Sequence, residues 1–142
     1  MNVSHILTRP LVTISAEKTV LAAAELMVKN NIGLLVVTET GNDSELAGVI
    51  SERDIIRVIA SGRKLETAVR DVCTKNVVTV GANADVAEAA KAMNKHGIRH
   101  VVVVRERGKP VGVVSMRDLV GERSTLSAIL QSDEKEVFHG AD

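Results

Sequence analysis

The sequence predicts an α+β fold built from two copies of one βαββα unit packed against each other, and three observations predict it. The chain aligns with itself; its apolar spacing changes from strand-like to helix-like in the same order twice; and one unit alone would leave an apolar sheet face uncovered. At 142 residues and 45% hydrophobic, the chain is long enough for a buried core and has the length of one ordinary domain.

The first strand of each unit lies inside the strongest match. Val3-Ser4-His5-Ile6-Leu7-Thr8-Arg9-Pro10-Leu11-Val12-Thr13-Ile14 aligns with Val69-Arg70-Asp71-Val72-Cys73-Thr74-Lys75-Asn76-Val77-Val78-Thr79-Val80 at an offset of 66. Within it, Val12-Thr13-Ile14 and Val78-Thr79-Val80 are extended runs. A helix follows in each copy, over 19–31 and 85–95, with Val20, Ala24 and Met27, or Val86, Ala90 and Met93, along one stripe. Thr19 and Asp85 are candidate N-caps, the latter with Glu88 three residues on as a capping box.

The hairpins are located by a length difference. Gly48-Val49-Ile50-Ser51-Glu52-Arg53-Asp54 aligns with Gly112-Val113-Val114-Ser115-Met116-Arg117-Asp118 at an offset of 64, so the first copy holds two more residues upstream. They fall in Gly41-Asn42-Asp43-Ser44-Glu45, opposite Arg107-Gly108-Lys109-Pro110. Hairpin tips tolerate insertion because no ladder or core is disturbed there. Residues 34–39 with 46–51, and 101–105 with 111–115, therefore read as antiparallel hairpins. Ser51 and Ser115 each open a further helix, in which Ile55, Ile56 and Ile59, or Leu119 and Val120, are apolar. The resulting division is residues 1–62 for the first repeat, 63–68 for the connection and 69–124 for the second; 125–142 lose the apolar period and are expected to be loose.

Composition excludes several functions. With 18 Lys+Arg against 18 Asp+Glu, no global field draws nucleic acid or an anionic membrane. Phe138 is the only aromatic residue, which removes stacking platforms for single strands. Cys73 is the only cysteine, so a disulfide framework and a multi-cysteine metal site are excluded and a reducing cytoplasm is expected. Neither a secretory signal nor an apolar run approaching the ~20 residues of a membrane span is present, so a soluble protein is expected.

The candidate site is Gly48-x-x-Ser51-x-x-Asp54 and its copy Gly112-x-x-Ser115-x-x-Asp118. Each joins a core strand to the first turn of a helix, where free N–H groups and the helix dipole favour an anionic or polar ligand. Glycine permits close approach to the backbone, serine offers a hydroxyl, and an aspartate one turn later can accept two hydrogen bonds, as the hydroxyls of a ribose require. Ser-x-x-Asp is equally an ordinary helix cap worth about 1 kcal/mol. Ile98-Arg99-His100 enters the second hairpin where the first copy has Ile32-Gly33-Leu34, so a cation and a titratable donor suited to phosphate stand in one repeat only. These two also read as solvated strand ends, and Arg53 and Arg117 either reach phosphate or pair with surface carboxylates. Catalysis has weaker support: His5, His96, His100 and His139 are scattered, no metal-ligand spacing occurs, and Cys73 occupies the repeat position of Leu7, a core filler.

Pro10-Leu-Val-Thr-Ile, Thr19-Val-x-x-Ala-Ala-x-x-Met27, Ile32-Gly-x-Leu-Val-Val, Gly48-Val-Ile-Ser-Glu-Arg-Asp54, Gly97-Ile-Arg-His100 and Gly112-Val-Val-Ser-Met-Arg-Asp118, in this order and spacing, resemble a tandem cystathionine-β-synthase (CBS) domain pair, or Bateman module, over about residues 3–124. The resemblance implies two βαββα repeats packed sheet to sheet with pseudo-two-fold symmetry, two clefts, a homodimer, and AMP, ADP, ATP or S-adenosylmethionine as ligand. It implies ribose contacts at Ser51 and Asp54 or Ser115 and Asp118, base contacts at Thr13, Ile14, Thr79 and Val80, and phosphate contacts at Arg99 and His100. The second strands read Leu35-Val36-Val37 and Val101-Val102-Val103, where many relatives have Leu-Pro-Val, and Gly33-Leu34 lacks the Arg-His pair, so the two clefts are not expected to be equivalent.

The reading of the sequence is thus a regulatory module, not an enzyme, that senses an adenine nucleotide and signals by conformational change to an effector protein of unknown identity. No cofactor is required. The alternatives are a structural or interaction module with low nucleotide affinity, a site for S-adenosylmethionine or NAD(H), and, ranked below them, an enzyme.

Overall fold

The structure, a computed structural model, describes residues 1–39 and 42–121; the expectation for 125–142 lies outside the described residues. Each repeat forms strand, helix, hairpin, helix. In the first these are β1 (Thr13–Ser15), α1 (Val20–Asn30), β2 (Leu34–Glu39), β3 (Asn42–Ser51) and α2 (Glu52–Ala60). In the second they are β4 (Thr79–Gly81), α3 (Val86–His96), β5 (His100–Val104), β6 (Pro110–Ser115) and α4 (Met116–Gly121). The sheets run β1-β2-β3 and β4-β5-β6, the first pair parallel and the second antiparallel in each.

The two sheets keep one register. Thr13 lies opposite Val36 as Thr79 lies opposite Val102, and Leu34 opposite Ser51 as His100 lies opposite Ser115. The first copy's two extra residues are absorbed by register shifts near the hairpin tip, at Val37/Thr38 and Thr38/Glu39, against a single shift at Val103/Val104 in the second. The first strands begin at Thr13 and Thr79, one residue later than the apolar pattern suggests, because Val12 and Val78 contribute only carbonyls, to the N–H groups of Val36 and Val102.

Thr19 caps α1 by accepting from the Ala22 N–H at 3.1 Å. Asp85 caps α3 through the Ala87 N–H at 2.8 Å, the second helical residue and not the third that the expected capping box with Glu88 would use. The helices stop in the left-handed region, at Asn31 (φ 52°) and Gly97 (φ 62°). Their buried stripe is Val20, Ala23 and Met27 in α1 and Ala89 and Met93 in α3. Ala24 and Ala90, assigned to the stripe from spacing, sit one residue around and are half-buried.

In β2, four consecutive residues, Leu35 to Thr38, are buried, and in β5 Val101 to Val103, so both faces of each central strand are covered. Leu35 and Val37 face the core beneath α1, and Val101 and Val103 the core beneath α3. Val36 and Val102, also buried, point to the opposite face, where the two sheets meet.

Each core takes a piece of the other repeat. Val3 packs with Val80, Ala89 and Met93 of the second, while Val69 packs with Ile14, Ala23 and Met27 of the first. The exchanged segments are held by backbone bonds: Val3 donates to the Ala84 carbonyl (2.8 Å) and Ser4 to Ala82 (3.1 Å), as Val69 donates to Lys18 and Arg70 to Ala16 (both 2.8 Å). The two halves are stapled reciprocally. No helix among the described residues is long and apolar enough to cross a membrane.

Candidate functional site

The glycines of the two Gly-x-x-Ser-x-x-Asp motifs serve the fold. A Cβ on Gly48 would meet the Thr74 carbonyl oxygen at 2.5 Å and Cys73 Sγ at 3.1 Å, and one on Gly112 would meet Leu7 Cδ2 at 2.7 Å. The close approach expected of a ligand is made instead by the exchanged segment of the other repeat. Cys73 and Leu7 fill matching slots, and burial pushes the Cys73 thiol pKa up, away from the thiolate a nucleophile needs.

The Ser-Asp pairs both form caps, yet their surroundings differ. Asp54 accepts from the Ser51 N–H (2.9 Å) and hydroxyl (3.1 Å) and from the Thr74 hydroxyl (3.4 Å), with Arg57 at 3.6 Å, and is only 6% exposed. Asp118 accepts from the Ser115 N–H at 2.8 Å, and its own N–H donates to Ser115 Oγ at 3.1 Å. The carboxylate of Asp118 stays half-exposed on the wall of a cleft.

That cleft, about 730 Å3, lies between the repeats and is within the range of small-molecule sites. It brings together Ile32, Gly33, Arg99, His100, Ser115, Arg117 and Asp118 of the expected site. The remaining expected residues lie elsewhere. Thr13 lines a separate groove of about 440 Å3 with Lys18 and Lys29, and Ile14, though it borders that groove, is buried in the first core. Val80 is buried in the second core, Ile98 packs against that core, and Thr79 is exposed at the edge of its sheet. Ser51, Arg53 and Asp54 are outside the cleft as well. Pro10, Leu11 and Val12, just before β1, line the cleft, whereas Thr13 and Ile14 of the strand turn into groove and core.

Sequence reasoning missed Arg9, Glu52, Ile55 and Ile56, which also line the cleft. For Glu52 a signal existed: it stands where the second copy has Met116. His100 is half-buried opposite Ser115; burial pushes its pKa below the ordinary 6.5, with Asp118 and Glu52 pulling it up and Arg99 pushing it down. Arg70 makes a bidentate pair with Glu39 at 3.3 and 3.0 Å, which holds the Glu39 carboxyl below its usual range and fastens the second repeat's leading segment to β2.

Two homologous βαββα units stapled through exchanged segments, with a cleft between them lined by both apolar and charged side chains, define a tandem-repeat module. The CBS domain family model matches residues 3–61 and 69–124, and the chain belongs to the CBS domain family. Among solved structures it is similar to a CBS domain protein from Pyrobaculum aerophilum complexed with AMP, at 37% identity and a TM-score of 0.86, covering 92% of this chain and 99% of that one. It is also similar to the CBS domain pair of protein MJ0100 in complex with 5'-methylthioadenosine and S-adenosyl-L-methionine, at 26% identity and a TM-score of 0.77, covering 93% of this chain and 97% of that one. The CBS domain-containing protein YhcV of Bacillus subtilis is 33% identical over 129 residues, 89% of each chain.

Proposed function

We propose that this chain is a regulatory module, not an enzyme, that binds an adenosine-containing nucleotide of the AMP, ADP or ATP class in the cleft between its repeats. The observation that carries this reading is the meeting of Ser115 and Asp118 with Arg99 and His100 on one cleft wall. The carboxylate suits ribose hydroxyls, the guanidinium and imidazole suit phosphate, and Leu11, Val12 and Ile55 offer apolar surface for a base. The AMP complex of the Pyrobaculum relative supports the choice of ligand class.

Val28 and Ile56 line the cleft and, with Leu21 and Ile59, are the large apolar side chains left exposed on α1 and α2, at 83%, 63%, 45% and 62%. An apolar patch of this kind suits a homodimer contact or an effector protein, and occupancy of the cleft reaches it through the two shared residues. The setting proposed is the cytoplasm.

A thermal-shift series with AMP, ADP, ATP, S-adenosylmethionine and NADH tests the reading. A ligand at a hundred times its dissociation constant adds about 2.7 kcal/mol of stability. A shift with the adenine nucleotides supports the proposal. A shift with S-adenosylmethionine alone would transfer the site to that ligand, which the Glu52 carboxylate on the cleft and the MJ0100 complex favour as the second reading. Absence of any shift at millimolar concentration would leave a structural module.

A further inference from the structure

The two repeats build the same backbone joint at the cleft and dress it with opposite side chains. At the start of α2 the Glu52 N–H donates to the Gly33 carbonyl (3.0 Å), and at the start of α4 the Met116 N–H donates to the Arg99 carbonyl (2.7 Å). Glycine with an acid stands on one wall; arginine with an apolar residue stands on the other. All four line the same cleft.

The glycine leaves room for this arrangement. The Glu52 carboxylate folds over Gly33 so closely that a Cβ there would overlap Oε1. A side chain at position 33 would push the carboxylate off the wall. Where the second repeat has Arg99 and Met116, the first thus has Gly33 and a negative charge, close enough to His100 to pull its pKa up against the lowering by burial. The cleft then holds three arginines, Arg9, Arg99 and Arg117, against two carboxylates, and Asp118 is already engaged by Ser115. With Asp118 assigned to ribose hydroxyls, Glu52 is the carboxylate left to meet the ligand's phosphate charge.

We propose that Glu52 sets the charge limit of the cleft, so that it favours a nucleoside monophosphate and disfavours the triphosphate; this rests on the reading of the cleft as a nucleotide site. A phosphate monoester brings a charge of about −1.5 to −2 at neutral pH, most of which the small positive excess of the cleft offsets. Each further phosphate adds negative charge that the arginines no longer offset and that Glu52 repels. The repulsion weakens with salt because Glu52 is exposed.

Titration calorimetry of AMP and of ATP without divalent cation, on the wild type and on Glu52→Gln at low and high salt, tests this. The wild type should prefer AMP. Glu52→Gln should tighten ATP about tenfold at low salt and AMP at most about threefold, with the difference shrinking as salt rises. A stability change from the substitution, followed by the thermal midpoint without ligand, acts on both nucleotides alike and leaves their ratio unmoved. AMP binding with an unchanged ratio, or a wild type that prefers ATP, overturns the charge limit and spares the nucleotide site. Failure of both nucleotides to bind either protein overturns the site and the charge limit together.

Discussion

At the residue scale, Asp54 and Asp118 occupy one sequence position in two environments. Asp54 is buried and satisfies Ser51 and Thr74, so Asp54→Ala should cost about 2 kcal/mol by leaving those donors without a partner. Asp118→Ala loses a cap, about 1 kcal/mol, and removes a carboxylate from the cleft. Urea denaturation should rank Asp54→Ala as the greater loss of stability, while calorimetry with AMP should rank Asp118→Ala as the greater loss of binding; the reverse order in calorimetry would count against the cleft that Asp118 lines. His100 makes a pH prediction. Its folded pKa lies below the 6.5 of the free side chain, so between those values the unfolded chain binds more protons than the folded one. The stability tied to neutral His100 is complete above about 6.5 and is lost as pH falls from there toward the folded pKa. Denaturation curves across that window should show wild-type stability falling faster than that of His100→Gln, and equal slopes would remove His100 as the cause.

At the element scale, the exchanged segments depend on two glycines that are not equally sensitive. A methyl on Gly48 would meet the Thr74 carbonyl, a backbone group that itself pairs with Val49 at 2.9 Å. On Gly112 it would meet the end of the Leu7 side chain, which can swing away. Gly48→Ala is therefore expected to cost about 2–3 kcal/mol and Gly112→Ala about 1 kcal/mol, read from denaturation midpoints. The helices and hairpins were legible in the sequence because their periods and caps are local: Thr19, Asp85, Ser51 and Ser115 all cap, although Asp85 does so without the capping box expected with Glu88. The exposed Ile56 and Ile59 were not legible as surface, since an apolar residue on a short helix reads as core until its neighbours are known.

At the scale of the whole molecule, neither repeat is a complete folding unit. A fragment of residues 1–62 lacks Val69 and Val72 of its own core and carries Val3, which belongs to the other. Fragments 1–62 and 63–142 should each give weak, noncooperative circular dichroism transitions alone and a cooperative one when mixed. Cooperative unfolding of 1–62 by itself would contradict the exchange. The same stapling places the first repeat's Gly33 and Glu52 across one cleft from Arg99 and Asp118, so the site is a property of the pair.

By itself the sequence determined the duplication, the order of elements, the caps, and the asymmetry between Gly33 and Arg99, because each is written in local spacing or in a comparison of the two copies. Only the tertiary structure decided which copy's leading segment enters which core. Val3 and Val69 are interchangeable in an alignment of the repeats, and the choice is made by backbone bonds to Ala84 and Lys18. It also decided that Arg99, His100, Ser115 and Asp118 share a cleft while Thr13, Ile14, Ser51 and Asp54 lie outside it, because a cleft forms where two packed bodies leave space.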